Sequence, residues 1–185
     1  MSRTYKPWSY FLHLEKMMLN SDRYCTIHPR NFRTHSDEYA SILILCAVHF
    51  EYSAKLYLKL INDKLNTDHM NMRGIHEAIL RVRPNMPKFA AKMPYHSLTT
   101  QPLIEWTDPN RQLPWWQAYN NIKHDFVTNI QQADQMSALN ALSSCLCVLL
   151  YYYEGCMDRI QTHTSLFYYD KPKTWITNDG WEVLP

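Results

Sequence analysis

The scarcity of glycine is the feature of this sequence that most restricts its fold, because only three of 185 residues are glycine. Glycine allows the tight turns and close backbone approaches on which phosphate-binding loops depend. The chain therefore has no Gly-rich phosphate cradle, which excludes both a Walker loop and a dinucleotide-binding fingerprint. Ten prolines are present and can separate helical segments. The sequence predicts helices joined by Pro-containing loops.

The apolar pattern predicts four main helices and one short helix. The first main helix is expected from Trp8 to Asn20, the second from Asp37 to Asp63 and the last from Ala133 to His163. A short helix is expected from Asn71 to Arg83. Residues 40–50 are apolar nearly all round, so the second helix should lie at the centre of the domain. The predicted fold class is all-α.

The third main helix is predicted from Pro114 to about Thr128, with proline suited to its first turn. An apolar stripe at helical spacing comprises Trp115, Trp116, Tyr119, Ile122, Phe126, Val127 and Ile130. The opposite face carries Gln117, Asn120, Asn121, His124 and Thr128. Asn120 and His124 are four residues apart, so their side chains can act on the same group. Lys123 falls at the edge of the stripe, where it must reach solvent or a carboxylate.

In the run from Tyr119 to His124, this helix resembles the signature helix of the HEPN superfamily (higher eukaryotes and prokaryotes nucleotide-binding domains). Active members carry an arginine, often followed by a polar residue such as asparagine, and a histidine about four to six residues after the arginine. His124 takes the place of the histidine, and Asn120 takes that of the polar residue. The place of the arginine is not filled by arginine, since the residues at the three spacings are Tyr119, Ala118 and Gln117.

The layout of helices is also similar to that of a HEPN domain, with the signature motif on the third main helix. The resemblance covers residues 8–163, followed by a C-terminal arm at 165–185, in one domain spanning 1–185. HEPN-like sites are typically made at a two-fold interface. The resemblance therefore implies a homodimer in which Asn120 and His124 of both copies line one cleft.

Glu51 interrupts the apolar part of the second helix, and Lys55 follows one turn later. This Glu-Lys pattern also resembles one on the second helix of many HEPN domains. One interpretation is a local pair with Lys55, worth about 0.2–0.5 kcal/mol. The alternative is that Glu51 meets Lys123 or His124 across a helix interface, because a buried carboxylate needs a partner. Such a contact would favour the protonated imidazole of His124.

Two functions follow from the resemblance. The first is a metal-independent endoribonuclease of a bacterial toxin–antitoxin, abortive-infection or phage-defence system. In it His124 would act as general base or acid, Lys123 would steady the phosphate, and Asn120 would belong to the same catalytic site. The second is a catalytically inactive HEPN-like dimer that binds RNA, a nucleotide or a partner such as an antitoxin protein. Tyr119 lies in the middle of the apolar stripe and is interpreted as core. No cofactor is implied.

Residues 84–114 contain six prolines and are predicted to form a long loop. Basic residues are interleaved with aromatic residues in or near it, a pattern that can suit single-stranded RNA, although each residue alone suits a solvated loop edge better. The basic residues are Arg73, Arg81, Arg83, Lys88, Lys92 and Arg111, and the aromatic ones are Tyr95 and Trp106.

Composition limits the remaining alternatives. A formal net charge of +2 is too small to indicate nucleic acid by itself. Five cysteines, an odd number, lie mostly in apolar runs and indicate reduced thiols, and no Cys/His spacing is typical of a zinc site. The uninterrupted apolar runs are shorter than the ~20 residues that span a bilayer. We expect a soluble, cytoplasmic protein.

Overall fold

The computed structural model describes residues 6–154, 163–168, 174–177 and 180–183. Six α-helices in this part of the chain, α1 to α6, cover Lys6–Asp22, Asp37–Ile61, Met72–Val82, Pro114–His124, Phe126–Asn129 and Gln135–Tyr152. Four strands, β1 to β4, cover Ala91–Met93, Leu98–Thr100, Thr174–Thr177 and Gly180–Val183. The strands form two separate antiparallel pairs, β1 with β2 and β3 with β4. The fold is mostly helical, as predicted, although it is not purely so.

Helices α2 and α6 pack along each other at the centre of the fold. At the start of α2 the Ser36 hydroxyl accepts a hydrogen bond from the N–H of Tyr39, at 3.1 Å. At the start of α6 the Asp134 carboxylate accepts one from the N–H of Ser137, at 2.8 Å. The helix buried on all sides is α6, because α1, α2, α4 and β1 all pack against it. In α2, by contrast, Val48 is exposed.

The first, second and short helices lie within two residues of their predicted bounds. The last helix was predicted over 133–163, but it begins at Gln135 and ends at Tyr152, with Tyr153 as its C-cap. Its start is later because Asp134, in extended conformation, caps the helix. Residues 155–162 of the predicted range lie outside the described residues.

Glu15 links helix α1 to residues 164–166 through hydrogen bonds. Its side chain is buried, and its carboxylate accepts hydrogen bonds from the backbone N–H groups of Ser165 at 3.0 Å and Leu166 at 2.9 Å. The Thr164 hydroxyl donates to the same carboxylate. Three donors around one carboxylate offset the cost of removing it from water. Leu166 and its neighbour Phe167 are buried in the hydrophobic core.

The C-terminal arm predicted for residues 165–185 therefore begins inside the core. Beyond it, the N–H of Tyr168 donates to the carbonyl of Lys92 on β1 at 2.9 Å. Further along, β3 and β4 form an antiparallel hairpin. The other residues of the predicted arm lie outside the described part of the chain.

The Pro-rich segment at residues 84–114 is not the loop that the sequence predicted. It contains the β1–β2 hairpin, in which Met93 lies opposite Leu98 and Ser97 makes the turn in the left-handed conformation, with φ 51°. It also contributes Trp106, which is only 2% exposed, to the main core. The prediction was wrong because apolar residues spaced between prolines are buried by tertiary packing, which periodicity does not register.

Two helices, α2 and α6, could cross a membrane by length and composition alone. However, 56% and 83% of their most apolar stretches are buried inside the fold, as in the core helices of a soluble protein. The length of uninterrupted apolar runs underestimated the length of the apolar helix α2. Polar residues occur at several positions within its 25 residues, but they do not end the helix. Burial, and not length, is thus the observation that fits a soluble protein.

The four described cysteines, Cys25, Cys46, Cys145 and Cys147, are free thiols, and Cys156 lies outside the described residues. Burial raises the pKa of the Cys145 and Cys147 thiols. The Cys145 thiol donates to the carbonyl of Cys46 at 3.2 Å. Thiols held in the protonated form are poor nucleophiles and poor metal ligands, so these two are core residues.

Candidate functional site

Helix α4 carries the residues that the sequence singled out. It begins at Pro114, whose ring fits the first turn, and buries Trp115, Ala118, Tyr119 and Ile122. These residues pack α4 against α2 and α6. The apolar stripe predicted for this helix is therefore the face that fixes it to the core, up to Ile122.

The buried apolar stripe of α4 ends earlier than the sequence predicted. Helix α4 stops at His124, because Asp125 takes an extended conformation (φ −148°, ψ 94°) and caps α5 by accepting from the N–H of Thr128 at 3.1 Å. Hydrogen bonds from Thr128 also lower the pKa of the Asp125 carboxyl. The predicted continuous helix to Thr128 was wrong. As a result Phe126 and Val127, expected in the apolar stripe, are 45% and 84% exposed.

A network of side-chain amides holds α5 beside the end of α4. Asn121 Nδ2 donates to Gln132 Oε1 at 2.8 Å, and Gln132 Nε2 donates to Asn129 Oδ1 at 2.9 Å. Asn129 Nδ2 in turn donates to the backbone carbonyl of Asn121 at 3.2 Å. Asn121, predicted on the polar face, therefore has a structural role here.

Asn120 and His124 lie on the accessible side of α4, as their spacing predicts. Asn120 is half-buried and His124 is exposed in the last turn, where a cation would interact favourably with the helix dipole. Neither side chain has a hydrogen-bond partner within the described part of the chain. Both are therefore available to an external group.

Lys123 and Tyr119 form a pair one turn apart. The ammonium Nζ of Lys123 lies 5.8 Å from the centre of the Tyr119 ring, a cation–π distance. Lys123 is exposed, while Tyr119 is only 8% exposed and its ring packs against Trp116. Lys123 thus reaches solvent across an aromatic face, and Tyr119 is a core residue, as interpreted from the sequence.

Glu51 and Lys55 form the local pair that was one of two interpretations of this pattern. Lys55 Nζ lies 2.7 Å from Glu51 Oε1, and the Glu51 side chain is 35% exposed. Among the described residues, Glu51 makes no ion pair with Lys123 or His124. A carboxylate that keeps a third of its exposure does not need a second partner.

A cavity of about 220 Å³ opens beside Asn120. Helix α3 contributes three of its lining residues, the loop before α4 contributes six, and α4 contributes two. They are Met72, Arg73 and His76, then Trp106, Pro109, Asn110, Arg111, Gln112 and Leu113, and finally Trp116 and Asn120. The Pro-rich segment therefore forms one wall of a pocket beside α4.

The floor of this cavity is an aromatic stack. The His76 and Trp106 rings lie nearly parallel, 4.7 Å apart at 15°. His76 Nε2 donates to the Trp106 carbonyl at 3.0 Å, which fixes the imidazole in place. Both residues are buried, whereas Arg73 and Arg111 of the same lining are exposed.

Two arginines supply positive charge to the cavity. Arg73 Nε donates to Glu77 at 3.0 Å, and Arg111 donates to Glu105 at 2.5 Å. Glu105, with Asp108 further away, raises the pKa of Arg111. Both guanidinium groups are largely exposed, and each has five N–H donors, so donors remain for a phosphate.

Both arginines were recognised from the sequence as basic residues near aromatic side chains. The sequence did not predict that they lie close to Asn120 in the folded chain. The only signal in the sequence was composition, because Arg73 comes from α3, and only packing brings it close to Arg111 in the loop before α4. In the described residues, no group of three or more His, Cys, Asp or Glu side chains is close enough to hold a metal ion. The absence of a cofactor stays a prediction.

Comparison with known proteins adds no relative, because no family model, curated protein or solved structure matches the chain.

Proposed function

We propose that the chain is a cytoplasmic HEPN-like protein of a bacterial toxin–antitoxin, abortive-infection or phage-defence system that binds single-stranded RNA around α4. The observation that carries the proposal is the cavity in which Arg73 and Arg111 meet Trp116 and Asn120. Two cations suit adjacent phosphates, an indole ring can stack on a base, and a carboxamide can pair with a base edge. The HEPN part of the proposal rests on the run from Tyr119 to His124.

Arg73 and Arg111 could supply the positive charge that the HEPN motif arginine would provide. No arginine occupies that place on α4, but two reach the same helix from α3 and from the Pro-rich segment. Arginine holds a phosphate with a planar fork that Lys123 lacks. The proposal therefore assigns the phosphate contacts to Arg73 and Arg111.

A homodimer belongs to the proposal, since HEPN-like sites are made at a two-fold axis. Its support is the exposure of two apolar side chains, Phe126 and Val127, which lie two and three residues after His124. Neighbouring apolar residues of this kind mark interaction surfaces. Val127→Glu changes an 84% exposed residue, so it should convert a dimer to a monomer without unfolding it. Light scattering that finds the unmodified protein monomeric at micromolar concentration would contradict this part.

Binding is tested with a short fluorescent single-stranded RNA, by anisotropy at several salt concentrations. Arg111→Gln should weaken binding and reduce the salt slope by about 0.7, the value for one lost phosphate contact on a single strand. The matched control is Arg30→Gln, which changes an exposed arginine outside the cavity. Equal losses in the two variants, or no binding by the wild type, would show that the cavity is not an RNA site.

The same samples separate the enzyme from the binding module. His124 does not line the cavity, so cleavage requires that RNA extend from the cavity to His124 of the same or the other copy. If the protein is an endoribonuclease, RNA fragments appear on a denaturing gel and disappear in His124→Ala while binding is kept. Binding without cleavage in the wild type identifies the catalytically inactive module, which the separation of His124 from the cavity favours.

A further inference from the structure

The cavity beside α4 is lined by three side-chain amides. Asn110 and Gln112 come from the loop before α4, and Asn120 comes from α4 itself. Within the described part of the chain, none of the three side chains makes a hydrogen bond. A carboxamide carries both donors and an acceptor, so these side chains suit a ligand whose edge presents both kinds of group.

Asn120 is the amide that the fold positions most firmly. It lies on α4, whose other face is buried against the core, whereas Asn110 and Gln112 lie on an exposed loop. In the described residues, the buried side-chain nitrogen and oxygen atoms without a partner belong to His49 and Ser53. The unpaired carboxamide of half-buried Asn120 is not among them, so a ligand in the cavity can reach it.

Trp116 lies one turn before Asn120 on the same side of α4, and it lines the same cavity. Its ring is held by the rings of Trp115, 5.8 Å away at 87°, and Tyr119, 5.0 Å away at 51°. The indole is half-buried and keeps part of its surface free. An indole next to a carboxamide suits one unpaired RNA base, because the ring can stack on the base while the amide pairs with its edge.

The charged groups of the cavity restrict which base fits. Arg73 is paired with Glu77, and Arg111 is paired with Glu105, but neither carboxylate lines the cavity. Among the described residues, the lining therefore offers no carboxylate to a ligand. The Watson–Crick edge of guanine presents two adjacent donors, which a carboxylate would accept together. The lining lacks the group that would favour guanine at this edge.

The other edge of the purine ring also favours adenine. Adenine presents N7, an acceptor, beside its 6-amino donor, and asparagine matches this pair with two hydrogen bonds. Guanine presents two acceptors there, which match arginine instead. Both arginines are largely exposed and contact phosphates in the proposed RNA site. A pyrimidine has no N7 and offers Trp116 a smaller ring to stack on.

We propose that the cavity reads one unpaired adenine of the bound RNA. The base stacks on Trp116, its N7 accepts from Nδ2 of Asn120, and its 6-amino group donates to Oδ1 of Asn120. The inference rests on the proposed RNA function and adds the base that the site selects. The cavity volume of about 220 Å³ lies below the roughly 300–1,000 Å³ of drug-sized ligand sites, as a single base requires.

The test uses fluorescent RNA heptamers of uridine whose central nucleotide is uridine, cytidine, guanosine or adenosine, with binding measured by anisotropy. The adenosine heptamer should bind at least about fivefold more tightly than the guanosine heptamer, the lower end for one bidentate pair. A 7-deazaadenosine heptamer, which has a C–H in place of N7, should bind about fivefold more weakly than the adenosine heptamer. Equal affinities for all heptamers, with binding still weakened by Arg111→Gln, would refute the adenine inference and leave the RNA site in place. Failure of every heptamer to bind would refute both.

Asn120→Leu removes the amide and keeps a side chain of similar shape. In this variant the adenosine, guanosine and 7-deazaadenosine heptamers should bind equally. Asn140→Leu, at a half-buried asparagine of α6 outside the cavity, should keep the wild-type order. An adenosine preference that survives Asn120→Leu would overturn the assignment.

A competition experiment identifies the source of the adenine. AMP carries one phosphate, so it engages fewer of the cations than the heptamer does, and it should displace the labelled RNA only at much higher concentration than the unlabelled adenosine heptamer. Displacement by AMP at a lower concentration than the heptamer would assign the cavity to a free nucleotide and overturn the inference.

Discussion

Acidification should destabilise this fold through His49. The side chain is 5% exposed, and burial lowers its pKa from 6.5 to about 4, although the Pro7 carbonyl opposes the shift. The unfolded state therefore binds more protons than the folded state between these two values. The contribution of His49 is fully present above pH 6.5 and is lost as the pH falls towards 4.

The size of the effect follows from the two pKa values. A difference of about 2.5 pKa units corresponds to roughly 3 kcal/mol, at about 1.4 kcal/mol per unit. Integrating the proton binding of both states from neutral pH gives a loss of about 2 kcal/mol by pH 5. That is a large part of the stability of an ordinary domain, which is about 5–15 kcal/mol.

Urea unfolding followed by tryptophan fluorescence at pH 7.5 and pH 5 measures this loss. The wild type should lose about 2 kcal/mol more than His49→Phe between the two values, because phenylalanine has no proton to bind. His69→Phe, at an exposed histidine, should behave as the wild type does. Other groups titrate in all three proteins and cancel in the comparison. Equal losses in the wild type and His49→Phe would refute the assignment of a buried, neutral imidazole.

Two other substitutions test the contacts that shape the fold. Glu15→Ala should lower the free energy of unfolding by roughly 3 kcal/mol, because it leaves one buried and two partly buried donors without their acceptor. Exposed Lys16→Ala, the control, should change it little, and a small loss in both variants would show that the buried carboxylate is not needed. Asp125→Ala should cost about 1 kcal/mol and speed amide exchange at Thr128, since it removes the cap of α5. An unchanged exchange rate at Thr128 would mean that α5 does not depend on this cap.

The elements predicted well from the sequence are those whose packing agrees with their local pattern. Helix α2 begins at Asp37, as predicted, because the cap at Ser36 and the apolar periodicity indicate the same start. The end of α4 at His124 was not predicted, because the helical spacing of apolar residues continues through Phe126. The competing signal, Asp125 three residues before Thr128, is a cap pattern that local hydrogen bonding favours over the stripe.

The candidate site was predictable only in part. Asn120 and His124 lie on one accessible side of α4 because helix geometry alone determines that. The cavity could not be predicted, since Arg73 and Arg111 approach Asn120 only after α3 and the Pro-rich segment have packed. The sequence also left open whether Glu51 pairs with Lys55 or with a residue of another helix. The answer depends on how exposed Glu51 is, which only the folded chain determines.

The contact of Glu15 with Thr164 also has a consequence for how the chain is made. The two residues are 149 positions apart, so a nascent chain exposes α1 long before its partner leaves the ribosome. Until then the Glu15 carboxylate has no donors in place of water, and burying it would be costly. The final docking of α1 is therefore a late step, after the central helices have been synthesised. Products shortened before Thr164 keep a charged side chain without its donors, and their exposed apolar surface makes them targets for chaperones and proteases.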